Sequence, residues 1–558
     1  MNENEQVIQD GTTSDYLQNL VNDRDTLVTN LVAKGVEASN VETFTELVPK
    51  VAELPNVNDD INDYIDNVLP ESTVVTDEMG YISEYDSVPG WLKTVKNWAH
   101  YTNVTTDDYT YLFANFPFNV YVDLSAIDFN TATSIDRMFL HSKLTTPIDL
   151  SQIDLSSIPH TETFVGAHNS TINLSNQVFD TSYETEYVNQ TIYNSWSGDN
   201  LILNNIKILN GDMESLFSSI DPANIEISLS NDCPTIVSTN SAFNYSGKGN
   251  RDWNTGKWSD EPRLDLLDLS NIDLSNVNTA MQMFQGTNFK EVNLGNLGAN
   301  VATLNMSSMF SGCNISKITL PTNFFNNKTC KLNSIFSYTD ENTDISILNT
   351  NITSADMSEI FRGHWGKEII LPNFNCTSSC YFRWMFVQIK SFYVDISGFS
   401  PAADSDLGRM FEGCSNLQHI DIRSIDFSHG TRSWIYTTNG FINGSPLDCE
   451  IVVKDATEKA WFQNKWSSWT NVMTAEEYDA KCHIHLDLGD GTSTSKIYYS
   501  IAVGDTTTLP VSADITPPDG KVFDHWEDSE GNTVTTFTAT TNNSVEFTAV
   551  YTDANGGE

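Results

Sequence analysis

Residues 267–286 read LDLSNIDLSNVNTAMQMFQG. Two short runs alternate apolar and polar residues, Leu267-Asp268-Leu269 and Ile272-Asp273-Leu274, with Ser270-Asn271 between them; Met283-Phe284 then closes the stretch just before Gly286. Alternation at a period of two marks a strand with one buried face. Asn and Ser at the L-S-N positions are expected to bond the backbone where the strand turns a corner. A strand this short with one aromatic anchor cannot bury its own apolar face, so the stretch needs neighbours like itself.

Those neighbours are present. The anchor, a two-residue unit ending in an aromatic, recurs as Leu112-Phe113, Met138-Phe139, Thr163-Phe164, Ile192-Tyr193, Leu216-Phe217, Ala242-Phe243, Met283-Phe284, Met309-Phe310, Ile335-Phe336, Ile360-Phe361, Met385-Phe386, Met410-Phe411 and Gly440-Phe441. Successive aromatics are 24 to 30 residues apart, except for one step of 41 between Phe243 and Phe284. Alternating runs sit between the anchors: VDLSAIDF at 122, IDLSQIDL at 148, INLSNQVF at 172 and IDIRSIDF at 420. A period of about 25 residues carrying one strand each is the mark of a solenoid, in which every coil covers the next and the strands align in parallel. Thirteen anchors predict about thirteen coils. At ~4.8 Å per strand they would make a rod of roughly 60 Å, and its ends need caps. The expected fold class is mostly β with short helices.

The pattern L-D-L-S-N-x-D-x-S-x-V followed by M-x-x-M-F-x-G-C, clearest at 267–286, in MSSMFSGCN (306–314) and in LGRMFEGCSNLQHIDI (407–422), resembles the BspA-like leucine-rich repeats of bacterial surface proteins. The resemblance covers about 105–453. It implies a leucine-rich-repeat solenoid that binds and does not catalyse, of the kind found in adhesins and in phage virion proteins.

The flanks read differently. In residues 1–55, Leu17, Val21, Arg24, Val28 and Leu31 fall at alternating four- and three-residue spacings, widened by Leu20, Leu27 and Val32, which predicts a helix. Ser39-Asn40-Val41-Glu42 reads as a capping box opening a second one. The two-heptad stripe is a face packed on its own domain or a short coil that forms a homo-oligomer. The stretch NLVAKGVEASNVETFTELVPKVAEL (30–54) resembles N-terminal segments of tail and fibre proteins from phages of Gram-positive hosts, which implies docking to a particle. Residues 56–104 are acidic and read as a linker and N-terminal cap; 454–481 read as the C-terminal cap, with Ala460, Trp461 and Trp469 as cap residues. Residues 482–558 are β-rich runs broken by Gly, Pro and Asn turns. GKVFDHWEDSEGNTVTTF (520–537) resembles the internalin B-type repeat of bacterial surface proteins, a small β-grasp-like module, with Trp526 in its core.

Composition narrows the function. The 558 residues carry 29 Lys plus Arg against 74 Asp plus Glu, a formal charge of −45. Such a surface repels the phosphates of a nucleic acid and the headgroups of an anionic membrane, so neither is expected as a partner. With 12 Trp, 20 Tyr and 29 Phe, the chain has the apolar content to fold, unlike acidic disordered proteins. No basic and apolar leader opens it, and no run of ~18–20 apolar residues would span a bilayer. The eight cysteines are scattered, which reads as reduced thiols; Cys313 and Cys414 share one repeat position and read as small buried residues. Neither Cys376 and Cys380 nor His483 and His485 has a second pair at metal-finger spacing, and Asp487-Leu-Gly-Asp-Gly491 lacks the spacing of a calcium loop. No metal, cofactor or catalytic residue is assigned: there is no G-x-S-x-G or H-E-x-x-H, and carboxylate pairs are too common here to single one out.

The candidate binding site lies in the long step. Its excess is NYSGKGNRDWNTGKWSDEPR (244–263), which holds Tyr245, Trp253 and Trp258 beside Lys248, Arg251, Lys257 and Arg263, a reversal of the chain's charge. Exposed aromatics stack on sugar faces, and basic side chains clamp acidic groups; the plain alternative is that both Trp pack back on the rod. A second cluster is Trp365, Arg383 and Trp384, with His364, Lys367 and Tyr381 near them in sequence. The expected function is that of a non-enzymatic phage virion protein, a fibre or receptor-binding appendage. Residues 1–55 would contact other virion proteins, and the rod would face a host surface glycan or protein receptor. A bacterial surface adhesin, a glycan-depolymerising tailspike and a purely structural decoration protein are the alternatives.

Overall fold

The computed structural model describes residues 24–31, 38–39, 75–76, 82–84 and 107–554, leaving out of the last range 115–123, 125–126, 161, 180–195, 248, 250–251, 253–257, 326–327, 377–379, 403–404, 428–439, 490 and 494–495. The chain forms two compact units, Met1–Val75 with Glu84–Ser87, and Thr76–Ser83 with Val88–Glu558. In the first, residues 24–31 are helical, as the stripe predicts, and bury Val28 and Leu31 against Leu27 and Ala38. Asn40, Val41 and Glu42 of the capping box, the remainder of that stripe and nearly all of 56–104 lie outside the described residues.

The second unit is mostly β: a solenoid of about nine turns with a period near 26 residues, followed by a small β module. That is fewer turns than thirteen anchors imply. Tyr193 lies outside the described residues, and several coils share a single β-bridge in place of a paired strand, Asp108 with Ser134 and Asp212 with Ser238 with Thr279. Elsewhere short parallel strands stack in register. Leu266–Asp268, Glu291–Asn293 and Lys317–Thr319 form one run; Glu368–Ile370, Tyr393–Asp395, His419–Asp421, Glu450–Val453 and Val472–Thr474 form another. In each strand the central residue points inward, so Leu267, Val292, Ile318, Ile369, Val394, Ile420 and Ile451 are all buried.

The aromatic anchors form the core ladder. Rings stack face to face from Phe113 through Phe139 to Phe164 at 5.7 and 5.3 Å. They stack again from Phe217 to Phe411 at 4.8 to 6.2 Å. Around every anchor the backbone alternates in hand. The residue two before the Phe has φ between 52° and 60° in eleven coils (Tyr111, Arg137, Glu162, Ser215, Ser241, Gln282, Ser308, Ser334, Glu359, Trp384, Arg409). For an L residue that conformation costs roughly 1–2 kcal/mol. The cost is offset by a ladder: the N–H groups of Gln282, Phe284 and Gly286 donate to Ser307, Met309 and Ser311 of the next coil at 3.0, 2.9 and 2.8 Å. The residue two after the Phe is left-handed as well, and here glycine recurs for a second reason. A Cβ on Gly286 would lie 2.5 Å from the Tyr245 ring of the preceding coil, and one on Gly363 would lie 2.6 Å from that of Tyr338.

Corner capping falls to a different residue from the one expected. The carboxylate or amide at the strand's end accepts from the N–H two residues on, as in Asp149 to Ser151 (2.9 Å), Asp268 to Ser270 (2.9 Å) and Asp395 to Ser397 (2.9 Å). Asp and Asn form this turn more strongly than Ser does, so the D of L-D-L-S is the cap. All eight cysteines are free. Cys313 and Cys414 are buried at one repeat position, and burial pushes the Cys414 thiol up to about 12.

The C-terminal cap is built on the helix Ala456–Lys465, opened by Asp455, whose carboxylate accepts from Thr457 and Glu458 N–H at 2.9 and 3.1 Å. Trp461 stacks on Phe427 at 5.6 Å, and Trp469 donates its indole N–H to Pro446 O at 3.1 Å. Ala460, expected in the cap, faces solvent; Phe462 and Glu458 are the buried residues of that helix. In the module, Lys481–Asp487 and Ser544–Asp553 pair in parallel at the centre of a five-stranded mixed sheet. Trp526 is buried in its core, as expected, and its indole N–H bonds Pro510 O at 2.8 Å.

Candidate functional site

The long step is an extrusion from an unbroken stack. Phe243 and Phe284, 41 residues apart in sequence, have ring centroids 5.7 Å apart, so the extra residues leave the coil spacing unchanged. Tyr245 turns out to belong to the coil itself, lying left-handed over Gly286 with 58% of its surface exposed. Trp258 is half-buried, with its indole nitrogen enclosed, so it packs back against the protein and does not project. Arg263 is a clamp. Its guanidinium reaches Asp221 Oδ2 and O at 3.1 Å, Gly198 O at 3.2 Å and Asp199 Oδ1 at 3.4 Å on earlier coils. Lys248, Arg251, Trp253 and Lys257 lie outside the described residues.

The second cluster divides. Trp384 occupies the left-handed position before Phe386, with the exposed Arg383 guanidinium 4.7 Å from its ring. Trp365 lies four residues after Phe361, and Lys390, at the same position one coil on, sits 5.5 Å over its ring. Each indole thus has its own cation in its own column, and among the described residues no ring contact joins the two. Tyr381 is exposed, whereas His364 is buried, its Nδ1 2.7 Å from Thr339 Oγ1.

A third place was not anticipated. Where the module lies along the solenoid, a cleft of about 980 Å³ opens between them. Its solenoid wall takes Glu341, Lys367, Glu368, Lys390, Gln418 and Asp448 from five successive coils, and its module wall includes His485, Asp487, Lys496 and Glu546. Pockets of this size between packed units are common ligand sites, and polar groups converging from both walls set their chemistry. Ties cross it: Lys367 Nζ donates to Gly489 O (2.5 Å), Gln418 Oε1 accepts from Ile497 and Tyr498 N–H (2.8 and 2.9 Å), and Lys496 pairs with Asp448 (3.1 Å).

Beside the cleft the contact is buried and polar. Tyr393, His419 and Glu450 are outward-facing residues at the start of adjacent strands, the column that carries Leu266, Glu291 and Lys317 elsewhere on the rod. The module covers them. His419 Nδ1 lies 3.0 Å from Glu450 Oε1, which also accepts from Ser500 Oγ at 2.9 Å. Burial alone would raise the Glu450 pKa, but these two hydrogen bonds hold the carboxyl below its usual value. Tyr498 packs at 4.6 Å on the rings of Tyr393 and His419. The sequence did carry a signal for this docking: FYVDI and LQHIDI place Tyr and His where other copies place Leu266, Glu291 and Lys317.

Three overlapping segments, 211–324, 258–363 and 330–436, match a family described as "Mycoplasma protein of unknown function, DUF285". The matched segments lie within the solenoid, consistent with BspA-like repeats. No curated protein and no solved structure matches the chain.

Proposed function

We propose that the protein is a non-enzymatic attachment protein, a phage fibre or receptor-binding appendage. In this reading residues 1–55 join it to other virion proteins and the solenoid with its module meets the host surface. The observation that carries the reading is the stack of Phe rings that continues at 5.7 Å across the 41-residue step. A rod so built holds a loop and a cleft at fixed places, and segments thrown out of a rigid scaffold are where binding function concentrates. The internalin-like character of the module and the fibre-like character of 30–54 lend support by resemblance. A bacterial surface adhesin would use the same scaffold in the same way.

The test is pull-down of the full chain on candidate host cells, beside Trp253→Ala in the inserted loop and Lys390→Glu in the cleft. Binding lost in one variant and kept in the other assigns the receptor surface. Absence of binding by the unmodified chain would sink the attachment reading. Immunogold labelling of phage particles against bacterial envelopes separates fibre from adhesin.

A further inference from the structure

The contact that holds the module on the rod concentrates imidazoles. His483 Nδ1 lies 2.9 Å from Ser500 Oγ, and Ser500 donates its hydroxyl proton to Glu450. A hydroxyl has one proton to give, so His483 carries a proton on Nδ1 and donates it to Ser500. Glu450 accepts from His419 Nδ1 as well, and His419 Nε2 is enclosed without a partner. The result is a directed chain running His483 to Ser500 to Glu450, with His419 donating from the other side. An added proton on His483 Nε2 would leave that chain intact; what opposes it is burial, since His483 is only 7% exposed at the junction.

Aromatic rings and imidazoles crowd this core. His483 stacks on Tyr478 at 3.9 Å, His419 lies 5.1 Å from Tyr478 and 4.6 Å from Tyr498, and His485 lies 4.6 Å from Tyr498. The charged and titratable groups facing this core are Glu368, Tyr393, Asp421, Arg423 and Glu450 from the rod, Tyr478 and Asp479 from the helix Ala475–Asp479, and Lys481 and Tyr498 from the module. Asp421 and Asp479 are engaged by Arg423 at 2.7 and 3.0 Å, and Glu368 lies 3.4 Å from His485. Glu450 is thus left as the one enclosed carboxylate facing His419 and His483.

We propose that this junction is an acid-released clasp, in which protonation of the buried His483 detaches the terminal module from the rod and opens the cleft between them. The inference concerns how the module is held and stands whether or not the cleft binds a receptor. Burial first, outweighing the opposing Glu450 carboxylate, and then His419 and His485, hold the His483 pKa down to about 4 in the docked state, against 6.5 when free. A depressed base stabilises docking fully above the free value and loses that contribution as pH falls toward the docked one. Between pH 7.5 and 5 this group alone weakens docking roughly 30-fold.

Hydrogen exchange on the full chain tests the clasp without a variant. After correction for intrinsic rates, protection of the Ile497 and Tyr498 amides, which bond Gln418, should fall on the order of 30-fold from pH 7.5 to pH 5, while the Phe310 and Phe336 amides in the rod keep theirs. Unchanged protection at Ile497 and Tyr498 overturns the proposal. Equal loss in the rod overturns it too, as general acid unfolding. His483→Gln keeps a donor for Ser500 but cannot titrate; it should retain docking at pH 7.5 and lose most of the acid response. A response identical to that of the unmodified chain would remove His483 from the mechanism and refute the clasp.

Discussion

Replacing Gly286 by Ala tests the architecture of the anchor turn, because two separable costs meet there. The residue has φ +65°, and an added Cβ would lie 2.5 Å from Tyr245 Cδ1 and 2.8 Å from Cε1. The left-handed backbone costs an L residue roughly 1–2 kcal/mol, and overpacking against a ring costs about 1–3 kcal/mol more. Gly286→Ala should therefore destabilise by about 2–5 kcal/mol, whereas Gly286→Ala with Tyr245→Ala should retain only the backbone cost of roughly 1–2 kcal/mol. Gly520→Ala in the module is the control, since its φ is +76° and nothing lies within 4 Å of the added carbon; only the backbone cost applies. Urea unfolding of the full chain, followed by circular dichroism and by exchange of the Phe284 and Phe310 amides, reads the local loss. The steric account is refuted if the double variant is as unstable as Gly286→Ala alone.

Phe310→Ala removes a ring stacked on both Phe284 and Phe336 and should cost about 3–5 kcal/mol, with exchange accelerating first in its own and the adjacent coils. Arg263→Gln strands the nearly buried Asp221 carboxylate and should cost about 2–3 kcal/mol, below the ~3–5 of fully buried pairs; Asp221→Asn in the same chain should recover part of the loss in a thermal melt. At the module junction burial raises the pKa of Tyr393 and Tyr498 and pushes Tyr478 up to about 12. Their contribution is therefore complete below the free-tyrosine value near 10 and lost as pH rises beyond it, so absorbance at 295 nm should show these phenols ionising together with release or unfolding, after the exposed ones.

The repeat was legible because its two signals are local: an aromatic every 24 to 30 residues and alternating runs such as LDLSNIDL. Their partners, Phe310 on Phe336 or Leu267 beside Val292, follow from stacking alone. What pattern reading could not supply was the alternation of backbone hand around each Phe. The residues that adopt it are as unlike as Arg137, Ser308 and Trp384, since hydrogen bonds between coils impose the conformation and no side-chain preference announces it. The same reason misled the reading of Tyr245. It falls within the long step, yet its place is set by the coil, and the extruded residues begin after it. Arg263 looked like part of a basic patch because sequence cannot show that Asp199 and Asp221 lie beside it. The cleft and the junction were hidden for another reason: both depend on which stretch of the rod the module covers, a contact between segments 48 to 122 residues apart.

The 41-residue step with undisturbed ring spacing has a consequence for how such proteins change. Because the Phe stack and the hydrogen bonds around it join each coil to the coil before and after it, the axis keeps its graduations while the text written between two marks can be lengthened or replaced. An addition after Tyr245 alters what is displayed at one height and leaves every other height where it was. Variation is therefore addressable by position along the axis, and one lineage could exchange its outward message many times without reworking the measure on which it is written.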